Sequence, residues 1–566
     1  MAAWHDQHPD NGVPAHLALP GILPFMSAFP MHRAELLQRL ASGETYDLAV
    51  VGGGATGLGV ALDAAARGLR VVLLESHDFA KGTSSRATKL VHGGVRYLGQ
   101  GNFSLVREAL HERTTLLANA PHIAQPLAFV VPGYRWWELP FYGAGLMLYD
   151  LLAGKAGLGR TRLLGPGATR ERLPTVRLAG LRGGVEYWDG QFNDARLAVA
   201  LARTAAREGA LLINYCEVTR LDYTQGRISG LQCRDTLDGK TFAVRAACVV
   251  NATGVWVDGL RSQDSPAHQA AGGHAVRPMV APSQGVHLVV DRDFLPGDRA
   301  LMVPKTGDGR VLFAVPWLGK VILGTTDTPR GDLAREPMPF AQEVEFILRE
   351  AGRYLQRPPT RADVRSVWVG LRPLVKPPDD AGSKTQALSR EHTVLTSRSG
   401  LVTVTGGKWT TYRAMAEDVL EHCMVQGMLP RRPGGATVQL RLVGASAQAG
   451  PVTPHTPISA APGLHAYGAE ADAVQAMPGA ATPLADGLTE AMVRFAARYE
   501  WALTVEDMLA RRSRLLFLDA RRAAELAPRV AVVLEEETGR DPQLADFLAL
   551  THQYLQLPPE SFVRGG

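Results

Sequence analysis

Apolar and polar positions change period several times along this 566-residue chain, and each change marks an element. Tyr46-Asp-Leu-Ala-Val-Val51 is a short apolar run, the pattern of a buried strand. Glycines follow at once, and an Ala-rich stretch with helical spacing continues to Arg67. Arg70-Val-Val-Leu-Leu-Glu75 repeats the buried-strand pattern. The three pieces predict a β-α-β unit on a parallel sheet. Downstream, Arg196–Glu208 reads as a helix and Leu211–Tyr223 as a strand region. Thr236-Leu-Asp-Gly-Lys240 carries a hairpin turn signal, and Cys248-Val-Val-Asn-Ala-Thr-Gly254 is a strand entering a tight turn. Between Val276 and Thr326 the pattern is strand-rich, with short strands at Val286–Val290, Val311–Val315 and Lys320–Gly324. That is how a substrate-binding sheet inserted into a nucleotide-binding domain would read.

The tail differs. Gly434 to Asp486 is rich in Ala, Gly and Pro and poor in bulky residues, which predicts a linker or loosely ordered connection. Leu488–Glu500, Thr504–Leu509 and Ala520–Glu537 then read as helices of a small C-terminal cap. The expected division is an N-terminal extension at 1–44 and a main body at 45–433 with a substrate subdomain at about 276–400. A linker at 434–486 and a helical domain at 487–566 complete it. The fold class is α/β: a Rossmann-like domain, an inserted antiparallel sheet and a helical cap. Leu17 to Met31 is partly apolar but is broken by Pro20, Pro24 and Pro30 and lacks a basic flank. It reads as an irregular extension and not as a signal peptide.

Composition narrows the classes. Hydrophobic residues at 46% and charged residues at 20% are globular values, and the length calls for two or three domains. A net charge of +5 is too diffuse for nucleic-acid binding, yet it suits an anionic substrate or an anionic membrane surface. Cys216, Cys233, Cys248 and Cys423 form no CxxC pair, so neither a disulfide framework, an iron–sulfur cluster nor a zinc site is expected. A reducing cytoplasmic compartment follows. No apolar run approaches the ~20 residues of a membrane-crossing helix.

The sharpest local signal is Gly52-Gly-Gly-Ala-Thr-Gly57. A strand precedes it and a helix follows. Gly52 suits the tight turn, Gly54 the close approach of backbone to a pyrophosphate, and Gly57 helix–strand packing. The helix N-terminus favours the phosphate charge. Glu75 ends the second strand, where a ribose-binding acid is required.

Further blocks carry a family resemblance. Thr83-Ser-Ser-Arg-Ala-Thr-Lys-Leu-Val-His-Gly-Gly-Val-Arg-Tyr-Leu98 resembles the segment after the second strand in FAD-dependent glycerol-3-phosphate dehydrogenases, within the D-amino-acid-oxidase-like superfamily. Trp317 to Asp327 with its Gly324-Thr-Thr-Asp327, Gly370-Leu-Arg-Pro-Leu374, Gly406-Gly-Lys-Trp-Thr-Thr-Tyr-Arg413 and Arg511-Arg-Ser-Arg-Leu-Leu-Phe-Leu-Asp519 follow in the family's order. The resemblance implies FAD as cofactor and oxidation of sn-glycerol 3-phosphate to dihydroxyacetone phosphate. Besides the fingerprint and Glu75, it implies cofactor contacts at Thr83, Ser84, Ser85, Lys89, Leu90, His92, Gly93 and Gly94. Val218, Ala252, Thr253, Gly254, Gly407 and Thr410 complete the cofactor set. His92 is assigned to flavin packing and not to proton transfer.

A dianionic substrate calls for cations, and Arg offers a bidentate fork. The matching blocks supply Arg96, Arg372 and Lys408, and Arg390 lies in Leu388-Ser-Arg-Glu-His392; Tyr97 joins the expected substrate set. Lys408 has two candidate roles, a phosphate clamp or a positive charge beside the flavin N1 edge. His287, in Gln284-Gly-Val-His-Leu288, aligns with an active-site histidine of the family and suits the base that accepts the C2 hydroxyl proton. Family members often carry lysine where this chain has Gln284, which puts one charge contact in question.

The resemblance also implies a membrane quinone as electron acceptor and peripheral association with the inner membrane. Oxygen, as in glycerol-3-phosphate oxidases, is the rival acceptor, and a non-catalytic flavin-binding sensor the rival of another class. The aromatic stretch Tyr134–Tyr142 and the apolar run Leu146–Leu152, bordered by Arg135 and Lys155, suit either interfacial insertion or a buried helix. Assembly stays open, with a homodimer one option. No metal is expected.

Overall fold

The structure is a computed structural model that describes residues 32–98, 102–307, 309–376, 392–446, 456–485 and 487–560. The β-α-β unit forms as strand Thr45–Val51, helix Ala55–Ala66 and strand Val71–Leu74, with the strands parallel and Leu48 beside Val71. Strand Thr241–Asn251 lies parallel on the other side of Thr45–Val51. Leu401–Gly406 and Leu211–Ile213 extend this sheet in opposite directions. Helices Ala55–Ala66, Asp194–Arg207 and Tyr412–Val425 cover one face with an Ala- and Leu-rich core, because small residues let helix and sheet approach closely.

Ten strands make the second sheet. Val280–Asp291 runs between Lys320–Gly324 and Ser366–Val375, both antiparallel to it. Every pairing in this sheet is antiparallel except Arg299–Val303 against Ala124–Gly133. The expected boundary of about 276–400 is therefore too narrow. Leu90–Val91, Ala124–Gly133, Arg162–Leu164 and Gly183–Phe192 belong to the same sheet. They cover an edge that would otherwise present unpaired backbone groups.

Two other expectations need correction. The expected extension at 1–44 contains helix Arg33–Ala41, whose Arg33 donates to Asp235 at 3.2 Å and to the Asn214 carbonyl at 2.8 Å. The described parts of 434–486 are no loose linker. Ile458, Tyr467, Val474 and Leu484 are buried in the C-terminal core with Phe495, Phe517 and Phe547. The segment has few large side chains, but these four enter a core built by the helices around them, so low bulk concealed its order. The cap itself contains helices Glu490–Tyr499, Ala520–Thr538 and Leu544–Leu555. Residues Asp507–Arg512 form a π-turn where an α-helix over Thr504–Leu509 was expected. The same core reaches Trp317 and Trp368 of the second sheet, so cap and substrate sheet share one apolar interior.

Candidate active site

Four loops converge at the carboxyl ends of the first sheet. Gly52 has φ +106°, and a Cβ there would lie 2.7 Å from the Ala252 carbonyl oxygen; at Gly57 it would lie 1.9 Å from the Gly52 oxygen. Only glycine fits this turn. The Ser84 hydroxyl accepts the Ala55 N–H at 2.9 Å, at the start of the helix that follows the turn. The Glu75 carboxylate accepts N–H groups from Gly53 at 2.7 Å and His77 at 2.9 Å. Burial nevertheless raises its pKa above the ordinary value. Ala252, Thr253 and Gly254 follow the neighbouring strand, with the Thr253 hydroxyl donating to Asn251 at 2.7 Å. Val218 lies two residues beyond Cys216, whose N–H reaches the Glu75 carbonyl at 2.7 Å.

The 83–94 and 407–410 loops meet on the other side. Thr83 donates to the Leu371 carbonyl at 2.6 Å, and Ser85 is buried. Leu90 is buried in its strand, and Gly94 has φ +80°. Gly93 donates to the Tyr149 hydroxyl at 2.8 Å. The buried Thr410 hydroxyl accepts the His92 N–H at 3.2 Å, and Gly407 has φ +73°. A glycine cradle, a helix N-terminus and a terminal acid fit FAD at the positions read from the sequence. Lys89 is an exception to that reading. Its ammonium is wholly buried, 2.7 Å from Asp194, so the side chain serves this carboxylate and not a cofactor.

His287 projects from Val280–Asp291 and is 2% exposed. Its Nε2 lies 2.9 Å from the Thr88 hydroxyl, whereas Nδ1 has no hydrogen-bond partner among the described residues. The ring stacks on Trp368 at 4.0 Å. Burial first, then the charges of Lys89 and Arg372, hold its pKa well below the usual imidazole value. The imidazole is neutral at physiological pH, and its protonated form is disfavoured.

Arg372 stands on the adjacent strand and is about a quarter exposed. Its guanidinium donates to the Thr326 carbonyl at 2.8 Å and the Gln284 carbonyl at 3.2 Å, and lies 3.3 Å from Asp327. A Cβ at Gly285 would sit 2.3 Å from this guanidinium, so that glycine lets Arg372 cross the strand. Gln284 is fully buried. Its amide bonds Glu343 and Arg330, so this side chain makes no substrate contact. Lys408 caps the turn Trp409–Thr411 and is half-buried. The backbones of Arg96 and Tyr97 form part of the short helix Val95–Leu98. Their side chains, and all of Arg390, lie outside the described residues.

Sequence reasoning missed Thr88, Gly285 and the buried pair of Lys89 with Asp194. Thr88 and Gly285 lie inside motifs already singled out, but only three-dimensional contact reveals their partners. Asp194 had no signal beyond its place at a helix start. Among the described residues no group of His, Cys, Asp and Glu is arranged to hold a metal, and no helix is long and apolar enough to cross a membrane.

Comparisons with known proteins identify the family. A family profile described as FAD dependent oxidoreductase matches residues 47–413. A second, described as the C-terminal domain of alpha-glycerophosphate oxidase, matches residues 435–545. The human mitochondrial glycerol-3-phosphate dehydrogenase is 40% identical, over 90% of this chain and 73% of its own. The Arabidopsis thaliana mitochondrial enzyme is also 40% identical, over 88% of this chain and 83% of its own. The crystal structure of the glycerol-3-phosphate dehydrogenase from Bacillus halodurans, complexed with FAD, superposes with a TM-score of 0.70 at 27% identity, covering 93% of this chain and 98% of that one.

Proposed function

Because this chain belongs to the FAD-dependent glycerol-3-phosphate dehydrogenase family, we propose that it oxidises sn-glycerol 3-phosphate with His287 as the base and Arg372 in the phosphate clamp. FAD, held by the Gly52–Gly57 turn, Glu75 and the 83–94, 252–254 and 407–410 loops, supplies the hydride acceptor. The observation that carries the reading is the His287 environment. A neutral, buried imidazole leaves Nδ1 enclosed and without a hydrogen-bond partner among the described residues, while Thr88 engages Nε2. With Nε2–H donating to the Thr88 hydroxyl, Nδ1 takes the proton of the substrate C2 hydroxyl. Arg372 orients the phosphate, joined by Lys408, Arg96 and Tyr97 from separate loops. Enclosure by Trp368 keeps water from the proton path.

The acceptor is a membrane quinone, reached by docking on the bilayer surface as a peripheral protein of the inner membrane. Support comes from helix Glu138–Ala153, which buries Leu146 and Tyr149 but exposes Trp136, just before it, along with Phe141 and Leu151. The rival expectation of a fully buried helix does not hold for that face.

Anaerobic stopped-flow bleaching of the flavin by glycerol 3-phosphate tests the chemistry. His287→Gln is expected to slow it by roughly a hundredfold or more. Arg372→Ala should lower kcat/KM about tenfold to a hundredfold, the loss of one charge-assisted contact, with the bound FAD spectrum unchanged. Bleaching at the parent rate in both variants would remove them from the mechanism.

A further inference from the structure

Behind His287 lies a group of buried charges that the reaction as described does not use. Asp194, Lys89 and Arg514 are each fully buried. Asp194 Oδ2 receives the Lys89 ammonium at 2.7 Å and the Ala87 N–H at 3.1 Å. Its Oδ1 lies 3.3 Å from the Arg514 guanidinium. The Ser85 carbonyl accepts from both cations, Arg514 at 2.6 Å and Lys89 at 2.8 Å. Arg514 also donates to the Ala510 carbonyl at 2.7 Å. Two cations thus share one carboxylate in a dry interior. Aromatic faces take up the excess charge, with Lys89 4.4 Å from the Trp368 ring and Arg514 4.1 Å from that of Phe517.

Stability alone does not explain such a cluster, since apolar side chains of similar volume usually fill an interior as well or better. Geometry gives it another use. Asp194 holds Ala87 and Lys89, and Arg514 holds the Ser85 carbonyl while pairing with Asp194, so the cluster ties down the 85–89 segment, in which Lys89 adopts a left-handed φ of +66°. Thr88 is the residue in that segment whose hydroxyl meets His287 Nε2. Arg514 arrives from the C-terminal domain, 429 residues beyond Ser85 in sequence, and itself has φ +69°.

We propose that Arg514 is a positioning residue for the reaction: through Asp194 and the 85–89 segment it holds Thr88 against His287 Nε2 and so leaves Nδ1 as the unbonded, proton-accepting nitrogen. The C-terminal domain therefore completes the active site without touching substrate. This rests on the reading of His287 as the base.

The test combines Arg514→Lys, Thr88→Val and the double variant, each compared with His287→Gln by anaerobic flavin reduction in the FAD-loaded full-length enzyme. Lysine keeps the charge but cannot bridge Asp194, Ser85 and Ala510 together. Arg514→Lys is expected to lower the limiting rate of flavin reduction five- to twentyfold, with the substrate concentration at half-maximum changed less than twofold and FAD retained. Thr88→Val should fall at least as far. The double variant should be no slower than Thr88→Val, because Arg514 acts through Thr88. A parent-like rate in Arg514→Lys, losses that multiply in the double variant, or release of FAD by Arg514→Lys would each overturn the proposal. Parent-like reduction in His287→Gln would instead overturn the underlying assignment of the base.

Discussion

At the scale of single residues, His287, the proposed base, is buried against Trp368. Burial, with the charges of Lys89 and Arg372, depresses its pKa and keeps the ring neutral. The charged groups around it are Lys89, paired with Asp194 and Arg514, and Arg372, paired with Asp327. Burial pulls the Lys89 ammonium down to about 7 against the attraction of Asp194. A consequence follows for stability. The unfolded chain binds a proton at His287 once pH falls below about 6.5, whereas the folded protein does not. Protonation therefore favours unfolding, and this contribution is full above the unfolded value and lost as pH falls. The thermal midpoint of the parent is expected to drop more steeply from pH 7 to pH 5 than that of His287→Gln. Parallel curves would show that the imidazole is not held neutral by the fold.

At the scale of elements, helix Glu138–Ala153 decides how the molecule meets its surroundings. Its buried face supplies Tyr149, whose hydroxyl bonds Asp189 at 2.8 Å and accepts the Gly93 N–H beside the cofactor loop. The other face is apolar and exposed: Trp136 at 81%, Phe141 at 66% and Leu151 at 76%. Arg135 and Lys155 flank it, both exposed. Burying one large apolar side chain contributes about 1.5–3 kcal/mol, and each basic residue near an anionic surface about 1 kcal/mol. The protein should cosediment with anionic liposomes, less so at high salt, and Trp136→Ala/Trp137→Ala should weaken binding further. If the double variant binds like the parent while salt still releases it, docking belongs to basic residues elsewhere. Indifference of the parent to liposomes at low salt would end the docking proposal.

At the scale of the whole molecule, buried charges join the C-terminal domain to the nucleotide-binding domain. Asp78, just after the second strand of the β-α-β unit, is enclosed with Arg511 and Arg512, and Lys81 meets Glu506 at 2.6 Å. The two guanidinium groups hold the Asp78 carboxyl below its usual pKa despite burial. Asp78→Ala takes from the buried Arg512 its carboxylate partner, while Arg511 keeps Asp507 and Glu506. Breaking a buried pair typically costs about 3–5 kcal/mol, so the thermal midpoint should fall by roughly 5 °C or more. An unchanged midpoint would mean that the Asp78 cluster contributes nothing to holding the domains together.

The amino-acid sequence by itself determined the β-α-β unit, the dinucleotide turn and the family. These depend on local pattern: strand and helix periods, glycines where no Cβ fits, and an acid at a strand end. It also singled out His287 and Arg372 as candidates, because each lies in a contiguous motif. Tertiary structure alone decided what joins across the chain. Asp194 and Arg514 are separated by 320 residues yet share one buried ion pair, and no periodicity encodes such a partner. The same holds for strand Ala124–Gly133 in the second sheet and for the 434–486 segment in the C-terminal core. The exposed face of helix Glu138–Ala153 was ambiguous for a related reason: an apolar composition fits burial and interfacial exposure alike until the neighbouring elements show which side they cover.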